Sequence, residues 1–167
     1  ALSEWGRLDI LDNNVGIGSR GTVVSEEYAR WQNVMEVNLD SMFLMSKECI
    51  PAMRESTGGG SIINISSISA MRPRGLTAYS VSKSAVVGLT KAMAVDHGPD
   101  SIRVNCVAPG PVYTPMVYGS GMTDNARKRR TDASLLGSEG TGWDVGNAVR
   151  FLASDRARYI TGQVLVV

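Results

Sequence analysis

Tyr79 and Lys83, in the run Tyr79-Ser-Val-Ser-Lys83, are the residues of this chain best suited to chemistry. On a helix, side chains four positions apart lie on one face, a turn from each other. An ammonium beside a phenol favours the phenolate, which suits the phenol to give or take a proton as a general acid or base. Two adjacent hydroxyls, Ser66 and Ser67, close an apolar run over 61–65 that lies ahead of the pair. A serine that bonds a substrate oxygen beside a tyrosine that exchanges its proton points to carbonyl/alcohol chemistry. A half-buried ring beside a snorkelling lysine stem has the same spacing, so the elements around the pair must decide.

Those elements alternate. Residues 8–11 form a short apolar run that stops at the turn Asn13-Asn14-Val15-Gly16. A helix is expected from a cap at Ser25, with Tyr28, Trp31, Val34, Met35, Leu39, Met42, Phe43 and Met45 at helical spacing toward Pro51. Residues 61–65 read as a buried strand, and 79–97 as a long helix ended by Gly98-Pro99. A strand over 102–107 stops at Ala108-Pro109-Gly110-Pro111; a helix over 143–154 and a strand over 163–167 follow. This order predicts an α/β fold, a parallel sheet of about four strands wrapped by helices. Ligands of such sheets sit at the carboxyl ends of the strands. Asn14, Ser66, Ser67 and Pro109-Gly110 all fall just past a strand end.

The 167 residues suit a single domain over 1–167 with a real core. Apolar residues at 43% and charged residues at 20% are the proportions of a soluble globular protein. Lys plus Arg number 17 and Asp plus Glu 16, so no field draws the chain to nucleic acid. No stretch approaches the ~18 uninterrupted apolar residues of a membrane span. Cys49 and Cys106 are far apart and lack metal-ligand spacing. Two reduced thiols of a cytoplasmic protein are expected, with neither a disulfide framework nor a metal site.

Taken together, these motifs resemble the short-chain dehydrogenase/reductase family over essentially the whole chain. Asn13-Asn14-Val15-Gly16 is similar to that family's Asn-Asn-Ala-Gly turn, and Asn38 stands where it carries a catalytic Asn. Ser66-Ser67, Tyr79 to Lys83 and Pro109-Gly110-Pro-Val-Tyr-Thr114 follow in the family's order, as does Phe151-Leu-Ala-Ser-Asp155 leading to Tyr159-Ile-Thr-Gly162. The resemblance implies an NAD- or NADP-dependent oxidoreductase acting on a small-molecule carbonyl or alcohol. Tyr79 would exchange the proton, and Lys83 would support it and hold the nicotinamide ribose hydroxyls. Ser67, with Ser66 as the alternative, would polarise the substrate oxygen, and Asn38 would anchor a water for proton relay. Asn14, Val15 and Gly16 would face the ribose; Pro109, Gly110, Val112 and Thr114 would line the nicotinamide side. A homodimer or homotetramer is implied through the two long helices, with Ala85, Gly88 and Ala92 small on the second. Substrate choice would lie in the loop region 117–142.

The family pattern is not matched throughout. Gly16-Ile-Gly18-Ser-Arg-Gly21 spells the dinucleotide fingerprint, whose last glycine must open a helix to offer its N-terminus to the pyrophosphate. Thr22-Val23-Val24 intervene here, so the segment reads as a mobile loop. The resemblance places Ala1 near the family's fourth strand. The chain is then the C-terminal portion of a Rossmann-like doubly wound sheet, without the first βαβαβ part that selects NAD or NADP. Asp12 is expected as a costly buried carboxylate, and Val15, larger than the family's Ala, as a crowding residue. These departures fit a second reading, a catalytically inactive dinucleotide-fold binding or assembly module. Arg127-Lys-Arg-Arg130 reads as a solvated lid helix, with an anion site as the alternative.

Overall fold

Apolar runs that alternate with amphipathic helices give a parallel sheet covered on both faces. The computed structural model describes residues 1–119 and 121–167. A single turn, α1 (Leu2–Trp5), leads to β1 (Ile10–Asn13). Then come α2 (Tyr28–Met35) and α3 (Ser41–Thr57), joined by a π-helical turn over Glu36–Asp40. β2 (Gly60–Ile65), α4 (Thr77–His97) and β3 (Ile102–Ala108) follow. The short strands β4 (Val112–Tyr113) and β5 (Gly140–Thr141) bracket α5 (Pro115–Tyr118) and α6 (Asp124–Asp132). After them stand α7 (Gly142–Ala153) and β6 (Val164–Val166). The main sheet has the order β1-β2-β3-β6 with every pair parallel, as the alternation predicts.

Successive strand residues face opposite sides of a sheet, and the packing follows that period. Ile62 and Val104 meet Ile50 and Met53 of α3 and Met93 and Ala94 of α4. Ile63, Ile65 and Val107 meet Leu152 of α7 and Ala157 on the other side. Each fully buried Ile contributes roughly 2–3 kcal/mol by leaving water. On α4 the buried positions Lys83, Val86, Thr90, Met93 and Ala94 recur every three or four residues and form one stripe. Lys83 is the end of that stripe nearest the strand carboxyl ends.

Polar groups fix the helices to those ends. Asn13 and Asn64 are register partners on β1 and β2. Asn13 Nδ2 donates to Asn64 Oδ1 at 2.9 Å and to Ser46 Oγ of α3 at 3.2 Å. Asn64 Nδ2 donates to Thr90 Oγ1 of α4 at 3.0 Å. A buried polar network with its members paired ties both helices to one level of the sheet. Arg103 of β3 does the same for α7, donating to the carbonyls of Leu152 at 2.7 Å, Ser154 at 3.3 Å and Ala153 at 3.4 Å. A guanidinium at a helix C-terminus satisfies its orphan carbonyls and complements its dipole. Arg103→Ala is expected to cost about 2–3 kcal/mol and about 5–10 °C of melting temperature, read by thermal denaturation.

Several local expectations change. The first long helix begins at Tyr28, because Ser25 Oγ accepts from the Thr22 N–H at 2.9 Å and closes a turn instead of capping. Asp12 lies within β1 with much of its surface open, yet partial burial still pushes its carboxyl above the usual range. Val15 is 66% exposed on the turn after β1. The basic run lies in α6, and three of its four cations have partners: Arg127 with Glu139 and over the Tyr113 ring, Lys128 with Asp132, and Arg130 on the Val112 carbonyl.

Candidate active site

The π turn decides where Asn38 points. Its wider turn breaks the local helical register, a device frequent at functional sites. Asn38 is fully buried, and its amide bonds another segment's backbone rather than its own helix. Oδ1 accepts from the Ile17 N–H at 2.7 Å, and Nδ2 donates to the Ile17 carbonyl at 3.0 Å and to Ser82 Oγ at 2.9 Å. The turn after β1 is thereby held against α4.

Lys83 reaches the same place from α4. It is 3% exposed, and Nζ donates to the Ile65 carbonyl at the end of β2, 2.9 Å away. Nζ also lies 5.9 Å from the centroid of the Tyr79 ring. Burial penalises the charged form and lowers the Lys83 pKa from 10.5 to about 8. The neighbouring Cys106 thiol is pushed up by burial, and its charge interaction with Lys83 offsets only part of the effect of burial on the ammonium. Gly16 completes the contact: a Cβ there would stand 3.2 Å from both Asn38 Oδ1 and Lys83 Nζ. A larger residue would press on both side chains, so glycine suits this close approach.

The two serines separate by their partners. Ser66 Oγ donates to the Lys83 carbonyl at 2.7 Å, which commits its proton to the framework. Ser67 Oγ accepts from the Ser69 N–H at 3.1 Å as the cap of a short turn over Ile68–Ala70. That arrangement leaves the Ser67 proton available to a ligand oxygen. Tyr79 is half-buried, and its phenol oxygen has no hydrogen bond among the described residues. Asn14 to Gly16 follow β1, Ser66 and Ser67 follow β2, and Pro109-Gly110 follow β3, so three adjacent strand ends form one rim. Val112 is buried in β4, and Thr114 precedes α5 with its hydroxyl in no capping bond.

Comparison with known proteins gives the family. The family model described as Enoyl-(Acyl carrier protein) reductase matches residues 1–167. Trans-4-hydroxycyclohexanecarboxylate dehydrogenase of Sinomonas cyclohexanicum is 40% identical over 168 residues, covering 100% of this chain and 61% of that protein. Dehydrogenase/reductase SDR family member 4 of Sus scrofa is 39% identical over 170 residues, covering 100% of this chain and 60% of that protein. The chain belongs to the short-chain dehydrogenase/reductase family. A solved 7 alpha-hydroxysteroid dehydrogenase, complexed with NADH and 7-oxo glycochenodeoxycholic acid, superposes with a TM-score of 0.93 at 34% identity. That match covers 100% of this chain and 65% of the solved one. The chain spans between 60% and 66% of the length of the curated relatives it matches.

The residues of this short-chain dehydrogenase/reductase fit a nicotinamide nucleotide on structural grounds. An ammonium has three donors, and Lys83 uses one of them on Ile65, which leaves two that could hold a hydroxylated ligand. The gap left by the missing Cβ of Gly16 lies directly against that ammonium. No local pattern announces the π turn, or Ser82 and Ser19, which bond Asn38 and the Tyr79 backbone. Ser82 stood inside the Tyr79-to-Lys83 run, where its fixed spacing was the one available signal.

Proposed function

We propose that this chain carries the acid–base machinery of an NAD- or NADP-dependent oxidoreductase that interconverts a carbonyl compound and an alcohol. The observation that carries the reading is the buried Lys83 ammonium, with donors to spare, one turn from Tyr79 and beneath the Gly16 turn. The nicotinamide, when bound, gives or takes the hydride. Tyr79 donates a proton to the substrate oxygen in reduction and removes it in oxidation. Ser67 donates a hydrogen bond to that oxygen and orients it. Lys83 holds the ribose and keeps positive charge beside the phenol, while Asn38 fixes the turn that carries Gly16. Developing negative charge on the oxygen thus meets donors already in place.

The non-catalytic alternative draws on the missing dinucleotide fingerprint together with Asp12 and Val15, the last two lying at the surface. A homodimer or homotetramer is part of the proposal. Gly88 has nothing within 4 Å of an added Cβ, and Phe43, Leu44, Met45 and Val95 are exposed on the paired helices. Small residues there serve a partner rather than the sheet. The test is the full-length protein mixed with NADH or NADPH and a panel of ketones and aldehydes, followed at 340 nm. Dinucleotide oxidation that requires a carbonyl compound is expected. Failure to bind or oxidise either dinucleotide would sink the proposal.

A further inference from the structure

The 21-residue helix α4 starts without a cap of its own. Its N-cap residue is Leu76, which has no side-chain acceptor, so the first N–H groups of the helix need partners from elsewhere. Tyr79 is the third residue of that first turn, the position whose N–H an N-cap side chain normally accepts. Here the acceptor comes from the loop after β1: the Tyr79 N–H donates to Ser19 Oγ at 3.3 Å, and the Thr77 N–H donates to the Gly21 carbonyl at 3.0 Å. Ser19 is 5% exposed, so water is a poor substitute for it.

The other side of Tyr79 is held as firmly. Ser82 is fully buried, and its Oγ donates to the Tyr79 carbonyl at 2.8 Å while accepting from Asn38 Nδ2 at 2.9 Å. Asn38 in turn bonds both backbone groups of Ile17. The hydrogen bonds therefore close a circuit, from Ile17 through Asn38, Ser82 and Tyr79 to Ser19 in the same loop. The Gly16-to-Gly21 segment that imitates a phosphate fingerprint has a different use. Gly16 approaches Lys83, Ser19 caps Tyr79, and Gly21 pairs with Leu76.

We propose that Ser19 and Ser82 are positioning residues that clamp the Tyr79 backbone from both sides, so that the 16–21 loop and the Tyr79 turn hold one geometry. The proposal rests on Tyr79 acting as the proton-transfer group. A misplaced phenol slows proton transfer without changing how substrate binds, so the effect falls on kcat rather than KM.

The test uses Ser19→Ala, Ser82→Ala, Ser19→Thr and, as a control, Tyr79→Phe in the full-length protein. Ser19→Ala is expected to speed exchange of the Tyr79 amide hydrogen about tenfold and to lower kcat about five- to tenfold, with KM for carbonyl substrate and dinucleotide within about twofold. Ser82→Ala is expected to lower kcat by a similar factor and to move the midpoint of its pH profile by about half a unit. Ser19→Thr keeps a capping oxygen and should restore kcat to within about twofold. If Tyr79→Phe is inactive while both alanine variants keep the wild-type kcat and pH profile, the clamp is wrong and the catalytic reading stands. A loss in Ser19→Ala that Ser19→Thr does not repair also overturns the clamp. An active Tyr79→Phe overturns both. Should Ser82→Ala fail to fold, the Ser19 pair decides the matter alone.

Discussion

Tyr79→Phe is expected to lower kcat and kcat/KM for carbonyl reduction together, by about a thousandfold or more. The equal fall follows from what the phenol does. Its proton moves only as the substrate oxygen gains charge, so the lost interaction belongs to the transition state and not to the bound ground state. Folding should be unaffected, because the phenol oxygen has no partner among the described residues and its removal leaves no buried group unpaired. Lys83 keeps its bond to the Ile65 carbonyl and Gly16 keeps its place, so dinucleotide affinity should stay within about threefold of wild type. Steady-state rates at 340 nm, a dinucleotide titration and a thermal melt separate these three effects. A variant that retains more than about a tenth of the rate would mean that another group supplies the proton. Ser67, whose own proton is uncommitted, would then be the next residue to replace.

The sheet was legible in the sequence because burial on two faces demands continuous apolar runs, and 61–65 and 102–107 are such runs. The rim of the site was legible for a related reason: Asn13 to Gly16, Ser66-Ser67 and Pro109-Gly110 break those runs with residues that no buried strand would choose. What could not be read were features set by contacts distant in sequence. The π turn carries Asn38, whose amide bonds the Ile17 backbone 21 residues away. The choice between Ser66 and Ser67 depends on which hydroxyl meets the Lys83 carbonyl across a gap of 17 residues. Ser19 caps a helix 60 residues away, and no local pattern could announce it. Ser25 shows the converse: a residue type well suited to capping was drawn into a turn with Thr22 instead.

Lys83→Met is expected to make the protein both inactive and more stable. Lys83 is 3% exposed and titrates at about 8, against 10.5 for a free lysine. The difference between those two values corresponds to a penalty of about 3 kcal/mol for holding the ammonium in the folded state. Below pH 8 the group is protonated in both folded and unfolded chains, so the penalty is present in full and has no slope with pH. Between about pH 8 and 10.5 the unfolded chain binds the extra proton, so this contribution to stability rises with pH. Methionine has a similar length and no charge. It removes the penalty and gives up about 1 kcal/mol in the bond to Ile65, for a net gain of about 2 kcal/mol at pH 7. Urea melts at pH 7 and pH 10 should show that gain shrinking toward zero at the higher pH; an equal gain at both would mean that the buried charge is not its source. Carbonyl reduction should fall about a thousandfold, because the ammonium beside Tyr79 and its donors for the ribose are lost together. In the wild type, the same titration should make reduction slow as pH rises through about 8, when Lys83 gives up its charge. A buried ammonium held at a cost to stability is what the proposed work on a bound ligand requires.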